Sequence, residues 1–181
     1  MRGNAALATG IASLLLVFSS MPICQAQLGL GEAKVSYIDF YLHDLLVADK
    51  PTAVTVAKAN TTSASPTVFG EVVIADDPLT EGPELTSKWI GKAQGLYAFS
   101  SQSEFSLFMA LNLAFTDGEF NGSTLTVIGR NPVQEKVREL SIVGGTGAFR
   151  LASGYVLIQT FFLDTTTLNA VVHYNVTVIH Y

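Results

Sequence analysis

Glu104-Phe-Ser-Leu-Phe-Met-Ala-Leu-Asn-Leu-Ala-Phe-Thr116 is the stretch that decides the fold. Its odd positions, Phe105, Leu107, Met109, Leu111, Leu113 and Phe115, are all large and apolar. Its even positions, Glu104, Ser106, Phe108, Ala110, Asn112, Ala114 and Thr116, are mostly small or polar, with one aromatic. A period of two over thirteen residues is a β-strand with one face in a core, because successive side chains leave a strand on opposite faces. The even face carries little charge, so it too suits partial covering, as when the outside of a barrel packs against a neighbouring subunit.

Outward from this strand the same alternation recurs. Candidate strands are Lys34–His43, Thr52–Lys58, Gly70–Ala75, Ala93–Phe99, Thr124–Gly129, Glu135–Gly144, Gly154–Asp164 and Leu168–Tyr181. Breakers separate them: Asp76-Asp77-Pro78, Gly82-Pro83, Asp117-Gly118, Asn121-Gly122, Asn131-Pro132 and Gly144-Gly145-Thr146-Gly147 read as turns. Residues 59–67 and 76–88 read as polar loops. Helical periodicity is scarce, so the class is all-β, as a sandwich or a closed barrel.

The N-terminus reads differently. Arg2 precedes a short apolar run, Ile11–Phe18, and Cys24-Gln-Ala26 offers a small-x-small cleavage site. Residues 1–26 are therefore expected to be a cleavable signal peptide, leaving 27–181 as one domain. Loss of Arg2 takes the formal net charge from −5 to −6. With no basic patch, nucleic acid and anionic membrane surfaces are unsuitable partners. Cys24 is the only cysteine, so the processed chain forms no disulfide and depends on its core. Asn60-Thr-Thr, Asn121-Gly-Ser and Asn175-Val-Thr are N-glycosylation sequons. Asn60 and Asn121 stand in turn-like contexts, whereas Asn175 stands in a strand pattern.

Standard catalytic machinery is missing from the sequence. His43, His173 and His180 show no zinc spacing, and there is neither a Gly-x-Ser-x-Gly elbow nor a P-loop. Two charges stand out. Asp44 continues the apolar face Ile38, Phe40, Leu42. It lies either in solvent just past the strand end, which spacing alone favours, or in an enclosed cavity with a raised pKa. Arg138 shares a face with Leu140 and Ile142, which also describes a surface cation with a snorkelling stem.

From about Val35 to Tyr181 the chain resembles plant dirigent proteins. The matching stretches are Asp39-Phe-Tyr-Leu-His-Asp-Leu45, Phe69-Gly-Glu-Val-Val-Ile-Ala-Asp-Asp-Pro-Leu-Thr80, Lys92-Ala-Gln-Gly-Leu-Tyr97, Gly122-Ser-Thr-Leu125, Arg138-Glu-Leu-Ser-Ile-Val-Gly-Gly-Thr-Gly147 and His180-Tyr181. The resemblance implies an eight-stranded antiparallel β-barrel with a pocket at one end, assembled as a homotrimer and secreted to the apoplast. It implies no cofactor and no metal: a separate laccase or peroxidase makes phenoxy radicals from a monolignol such as coniferyl alcohol, and the dirigent protein sets the stereochemistry of their coupling. It makes Asp44, Tyr97 and Arg138 pocket residues, reversing the local reading of Asp44 and Arg138. Phe99 and Asn131 stand where lignan-forming members carry a tyrosine and an aspartate, and the cysteine pair of that subgroup is absent. Ser153 replaces an arginine found in many relatives. The pattern is that of the broader dirigent branch.

Three functions follow from the resemblance. The leading one is non-oxidative guidance of phenoxy radical coupling towards lignan-type products, with Asp44, Tyr97, Phe99, Asn131 and Arg138 orienting phenolic substrates. The second is dehydration of isoflavanols to pterocarpans through a quinone methide, with Asp44 as acid or base. The third is a non-catalytic wall protein or carrier. N-terminal sequencing of the secreted chain is expected to begin at Gln27; a chain that keeps residues 1–26 would overturn the processing site.

Overall fold

The computed structural model describes residues 31–181, so the expected signal peptide lies outside the described residues. Nine strands follow one another: β1 (Lys34–Asp44), β2 (Ala53–Lys58), β3 (Glu71–Thr80), β4 (Trp89–Phe99), β5 (Ser106–Phe115), β6 (Thr124–Pro132), β7 (Arg138–Thr146), β8 (Ser153–Leu163) and β9 (Ala170–His180). Every pairing is antiparallel, in the order β1-β9-β8-β7-β6-β5-β4-β3-β2. A second pairing closes the ring: Tyr41 lies opposite Thr80, and Leu42 opposite Leu79. The barrel is thus eight-stranded, β1 with β3 to β9, and β2 flanks β3 outside the closure. Closure leaves only short edges, which removes the usual template for strand-to-strand aggregation.

The alternation of β5 runs as read, with Met109, Leu111, Leu113 and Phe115 buried and Phe108 and Asn112 exposed. Inward residues of the other strands meet them. Phe40 of β1 stacks on Tyr174 of β9 at 5.3 Å and meets Phe115 edge-on at 6.4 Å. Below this layer Phe120 and Phe149 pack at 4.6 Å, and His180 fills the gap beside them. The Nδ1 of His180 lies 3.1 Å from the Ala148 carbonyl, which can only accept, so Nδ1 carries the proton. Its Nε2 then accepts from the Ser36 hydroxyl at 2.9 Å. This layer plugs one end of the barrel. Gly95 lets β4 and β5 approach closely, since a Cβ there would collide with the Ala110 carbonyl.

Three expected turns are strand. Asp76, Asp77 and Pro78 belong to β3, so the expected loop 76–88 shrinks to 81–88. A proline is tolerated because of where β3 changes partner. β2 pairs with β3 as far as Ala75, and β1 takes over at Leu79. The Asp76 amide points to the β2 side, donating to the Thr52 carbonyl at 2.8 Å. Two residues on, the Pro78 nitrogen points the same way, into the gap between the two partners, where no ladder bond requires an N–H. Asn131 and Pro132 likewise end β6, opposite Leu107 and Ser106. Gly144, Gly145 and Thr146 end β7 after a bulge opposite Thr126 and Val127, which leaves Val143 exposed.

Phe40 is fully buried between two other rings. Phe40→Ala is expected to cost about 3–5 kcal/mol of unfolding free energy, measured by denaturant titration. A loss below about 1 kcal/mol would mean that this layer does not hold the barrel together.

Candidate functional site

The end of the barrel opposite the His180 plug is open and holds a cavity of about 490 Å³, within the range of small-molecule sites. Apolar side chains form most of its wall, among them Leu42, Leu107, Met109, Leu111, Ile158 and Val172. Asp44, Tyr97, Phe99, Asn131 and Arg138, the five substrate-orienting candidates from sequence, all line it. Asp77, Gln134, Thr160 and Tyr174 line it as well and were not foreseen.

Asp77 is the consequential omission. Residues 71, 73, 75, 77 and 79 are all buried, so the inward alternation of β3 continues straight through Asp-Asp-Pro. That alternation was the available signal, and the turn propensity of the three residues masked it. The β1–β3 register pairs Leu42 with Leu79, and extending it by two residues sets Asp44 beside Asp77 on the inner face. Burial raises both acids, because a carboxylate loses its hydration there. Asp44 is pushed up to about 6. Asp77, only 2 % exposed, is pushed up to about 8 by burial and then by the neighbouring Asp44 charge. Two such groups share their protons, and the two steps belong to the pair.

Tyr97 rises from β4 into the same corner. Burial raises its phenol pKa, and the Asp44 carboxylate beside it raises it further. The Tyr97 hydroxyl steadies Asp44, yet neither group has a well-aligned hydrogen bond: the hydroxyl and Asp44 Oδ1 are both buried without a partner. Unpaired buried polar atoms facing a cavity are what an arriving hydroxyl-bearing ligand can satisfy.

The opposite arc is cationic. Around the ring β7 lies four strands from β3, and β6 four strands from β1. Arg138 at the start of β7 is 4 % exposed, and burial lowers its pKa. Its Nε donates to Asn131 Oδ1 at 3.0 Å and one terminal nitrogen to the Glu135 carbonyl at 3.2 Å. Among the described residues no carboxylate pairs with it. Asn131 also donates its Nδ2 to the Met109 sulfur at 3.1 Å. Both ends of the Asn131 amide are therefore engaged with protein, and this side chain orients Arg138 before it orients any ligand. Phe99 packs edge-on to Tyr97 at 6.4 Å and presents an apolar ring where a phenol was the alternative.

The sequon residues lie elsewhere. Asn60 and Asn121 are exposed in turns. Asn175 is exposed in mid-strand on β9, its amide donating to Asp39 Oδ2 at 3.0 Å. Among the described residues no cluster of His, Cys, Asp and Glu is arranged to hold a metal, and no helix is long and apolar enough to cross a membrane.

The molecule is thus a closed antiparallel barrel with an acid pair on one wall of its mouth and a buried guanidinium on the other. Comparison with known proteins places it further: the family described as "Dirigent-like protein" matches residues 35–179, and the chain belongs to the dirigent family. It is 51 % identical over 147 residues to dirigent protein 21 of Arabidopsis thaliana, covering 81 % of this chain and 78 % of that protein. It is 49 % identical over 155 residues to pterocarpan synthase 1 of Glycyrrhiza echinata, covering 85 % and 82 %. The solved structure of the pterocarpan synthase dirigent protein GePTS1 superposes with a TM-score of 0.79 at 49 % identity, over 83 % of this chain and 87 % of that one.

The acid pair also marks stability. Folding raises both pKa values, so the protonated forms favour the fold. That contribution is complete below about pH 4, the unfolded value. It is lost as pH rises through about 6 for Asp44 and about 8 for Asp77. The melting temperature is therefore expected to fall between pH 5 and 8.5, by roughly 2–4 °C for each kcal/mol lost. Asp77→Asn should flatten that fall, and an unchanged slope would show that Asp77 titrates normally.

Proposed function

We propose that this protein binds a phenolic small molecule in the barrel mouth and controls the stereochemistry of a bond made through a quinone methide, with Asp44 and Asp77 moving the protons. The observation that carries this reading is the buried Asp44–Asp77 pair. Two neighbouring carboxyls whose pKa values are pushed up and apart supply a proton donor and a proton acceptor side by side near neutral pH. Guidance of radicals alone needs neither.

The favoured substrate is a benzylic alcohol of the isoflavanol type, carrying two phenols. One phenol lies against Arg138, whose charge favours its phenolate. Electron density from that oxygen expels the benzylic hydroxyl across the cavity. Asp77 protonates the departing oxygen, which leaves as water, and a quinone methide remains. The second phenol then attacks the methide carbon, forming the ring C–O bond and passing its proton to Asp44. The far oxygen returns to phenolate on Arg138. Transfer of the proton from Asp44 to Asp77 restores the pair. No electron is gained or lost, and water is the only by-product. The apolar walls admit one approach to the methide face, so the ring closes with one handedness.

A second reading, guidance of phenoxy radical coupling, is favoured by the apolar belt from Leu107 through Met109 and Leu111 to Ile158 and Val172. Such a belt seats aromatic rings without supplying a proton. Coniferyl-type radicals would come from a laccase or peroxidase. On either reading, residues 1–26 direct the chain to the secretory route and the apoplast. Exposed side chains such as Tyr37 and Phe161 suit burial in a homotrimer.

The test is turnover without an oxidase. Purified protein is incubated with a 2′-hydroxyisoflavanol, and product is followed by chiral chromatography with mass detection. One enantiomer of the dehydrated, ring-closed product is expected, with Asp44→Asn lowering kcat/KM by about 10²-fold or more. No turnover here, together with an enantiomeric excess from coniferyl alcohol plus laccase, would replace this reading with the second.

A further inference from the structure

Strand β2 takes no part in closing the barrel, and only Ala53 of its six residues is buried. Its one approach to the cavity is through the residue that precedes it. Thr52 is held from several sides. Its amide donates to the Leu45 carbonyl at 2.9 Å, and its carbonyl accepts from the Asp76 amide at 2.8 Å. Its hydroxyl accepts from the Leu45 amide at 3.1 Å and donates to Asp77 Oδ1 at 2.7 Å. The His43 carbonyl, at 3.3 Å, is a weaker alternative acceptor for the same proton. The segment between Leu45 and Thr52 is thus a strap, tied to β1 at one end and to β3 at the other.

We propose that Thr52 is a positioning residue for the acid pair: its hydroxyl occupies Asp77 Oδ1, so that Asp77 Oδ2 is the oxygen turned to the cavity and the one that carries the transferable proton. This rests on the acid–base reading of Asp44 and Asp77 given above. Three observations support it beyond the bond itself. Among the described residues no hydrogen bond engages Asp77 Oδ2. The Asp77 side chain lines the cavity although it is almost fully buried. Pro78 follows directly in a stretch of β3 that has a ladder partner only on the β4 side, where Asp77 lies opposite Ala93, and from the other side the Thr52 hydroxyl reaches the Asp77 side chain. A hydroxyl donor also favours the ionised carboxylate, so Thr52 opposes the upward push of burial on Asp77. The other charged and titratable groups that act on this carboxyl are Asp44 of β1, Tyr97 of β4, Tyr174 of β9 and Asp76 on its own strand, with Arg138 across the cavity.

The experiment titrates Asp77 directly, by ¹³C NMR of the side-chain carboxyl carbon in Asp-labelled full chain, with Asp77→Asn identifying the signal. In Thr52→Val the Asp77 midpoint is expected to move up by about one pH unit, and in Thr52→Ser to return to the wild-type position. The same shift should appear in the alkaline limb of the turnover profile, with kcat lowered and KM little changed. If Thr52→Val does not fold, Thr52→Ala is titrated in its place, again against Thr52→Ser. An Asp77 midpoint that does not move in the hydroxyl-free variant overturns the role of Thr52, whatever the activity. An Asp77 midpoint that moves while Asp77→Asn retains full turnover keeps the Thr52–Asp77 link and overturns the acid–base reading instead.

Discussion

The β1–β3 seam is the constraint from which the rest of the molecule follows. Elsewhere the barrel is held by long ladders, such as Lys34 opposite His180 through to Asp44 opposite Ala170. At the seam only two residue pairs join the ends of the ring. A stretch of β3, Asp76 to Pro78, therefore has no full ladder partner on that side. A polar side chain can be buried here without competing with regular pairing, and a proline costs no hydrogen bond. The chain completes the gap with β2 and the strap before it. The short seam thus explains the flanking ninth strand, the proline inside β3 and the acid beside it.

The electrostatics of the cavity follow from the ring order. Placing both acids on adjacent strands lets the Asp44 charge oppose the ionisation of Asp77, which adds to the desolvation both already suffer. Placing Arg138 on the far arc prevents it from neutralising them, and its nearest partners are an amide and a carbonyl. A guanidinium adjacent to the pair would have held both carboxyls ionised and removed the proton donor. The separation keeps an acid wall and a cation wall with an apolar belt between them. The aromatic layer of Phe40, Tyr174 and Phe115 forms the floor, and the His180 plug shuts the other end.

Much of this was legible in the residues. The period-two patterns of β1, β5, β8 and β9 identify strands because their inward positions are mostly apolar, interrupted by Ser36 and Asp44 in β1, Thr160 in β8 and His180 in β9. The motif around Arg138 placed it on the inward face beside Leu140 and Ile142. Where reading failed, local turn chemistry and tertiary context disagreed. Asp-Asp-Pro, Asn-Pro and Gly-Gly-Thr all favour turns in isolation, yet each lies at a strand end or a seam where pairing on one side is absent or bulged. Asn131 lines the cavity, and what the residues alone do not show is that its amide also engages Arg138 and the Met109 sulfur.

By itself the sequence determined the all-β class, the inward and outward faces of the long strands, and the family to which the chain belongs, because alternation and motif order are properties of the chain alone. It could not determine that Asp44 and Asp77 are neighbours. Thirty-three positions separate them, and they meet only because the ring closes in one register, Leu42 against Leu79. A slip of one residue would have turned Asp77 to the outer face and left Asp44 without a partner. The carboxyl pair is a product of barrel closure, and so is the proton chemistry proposed for it.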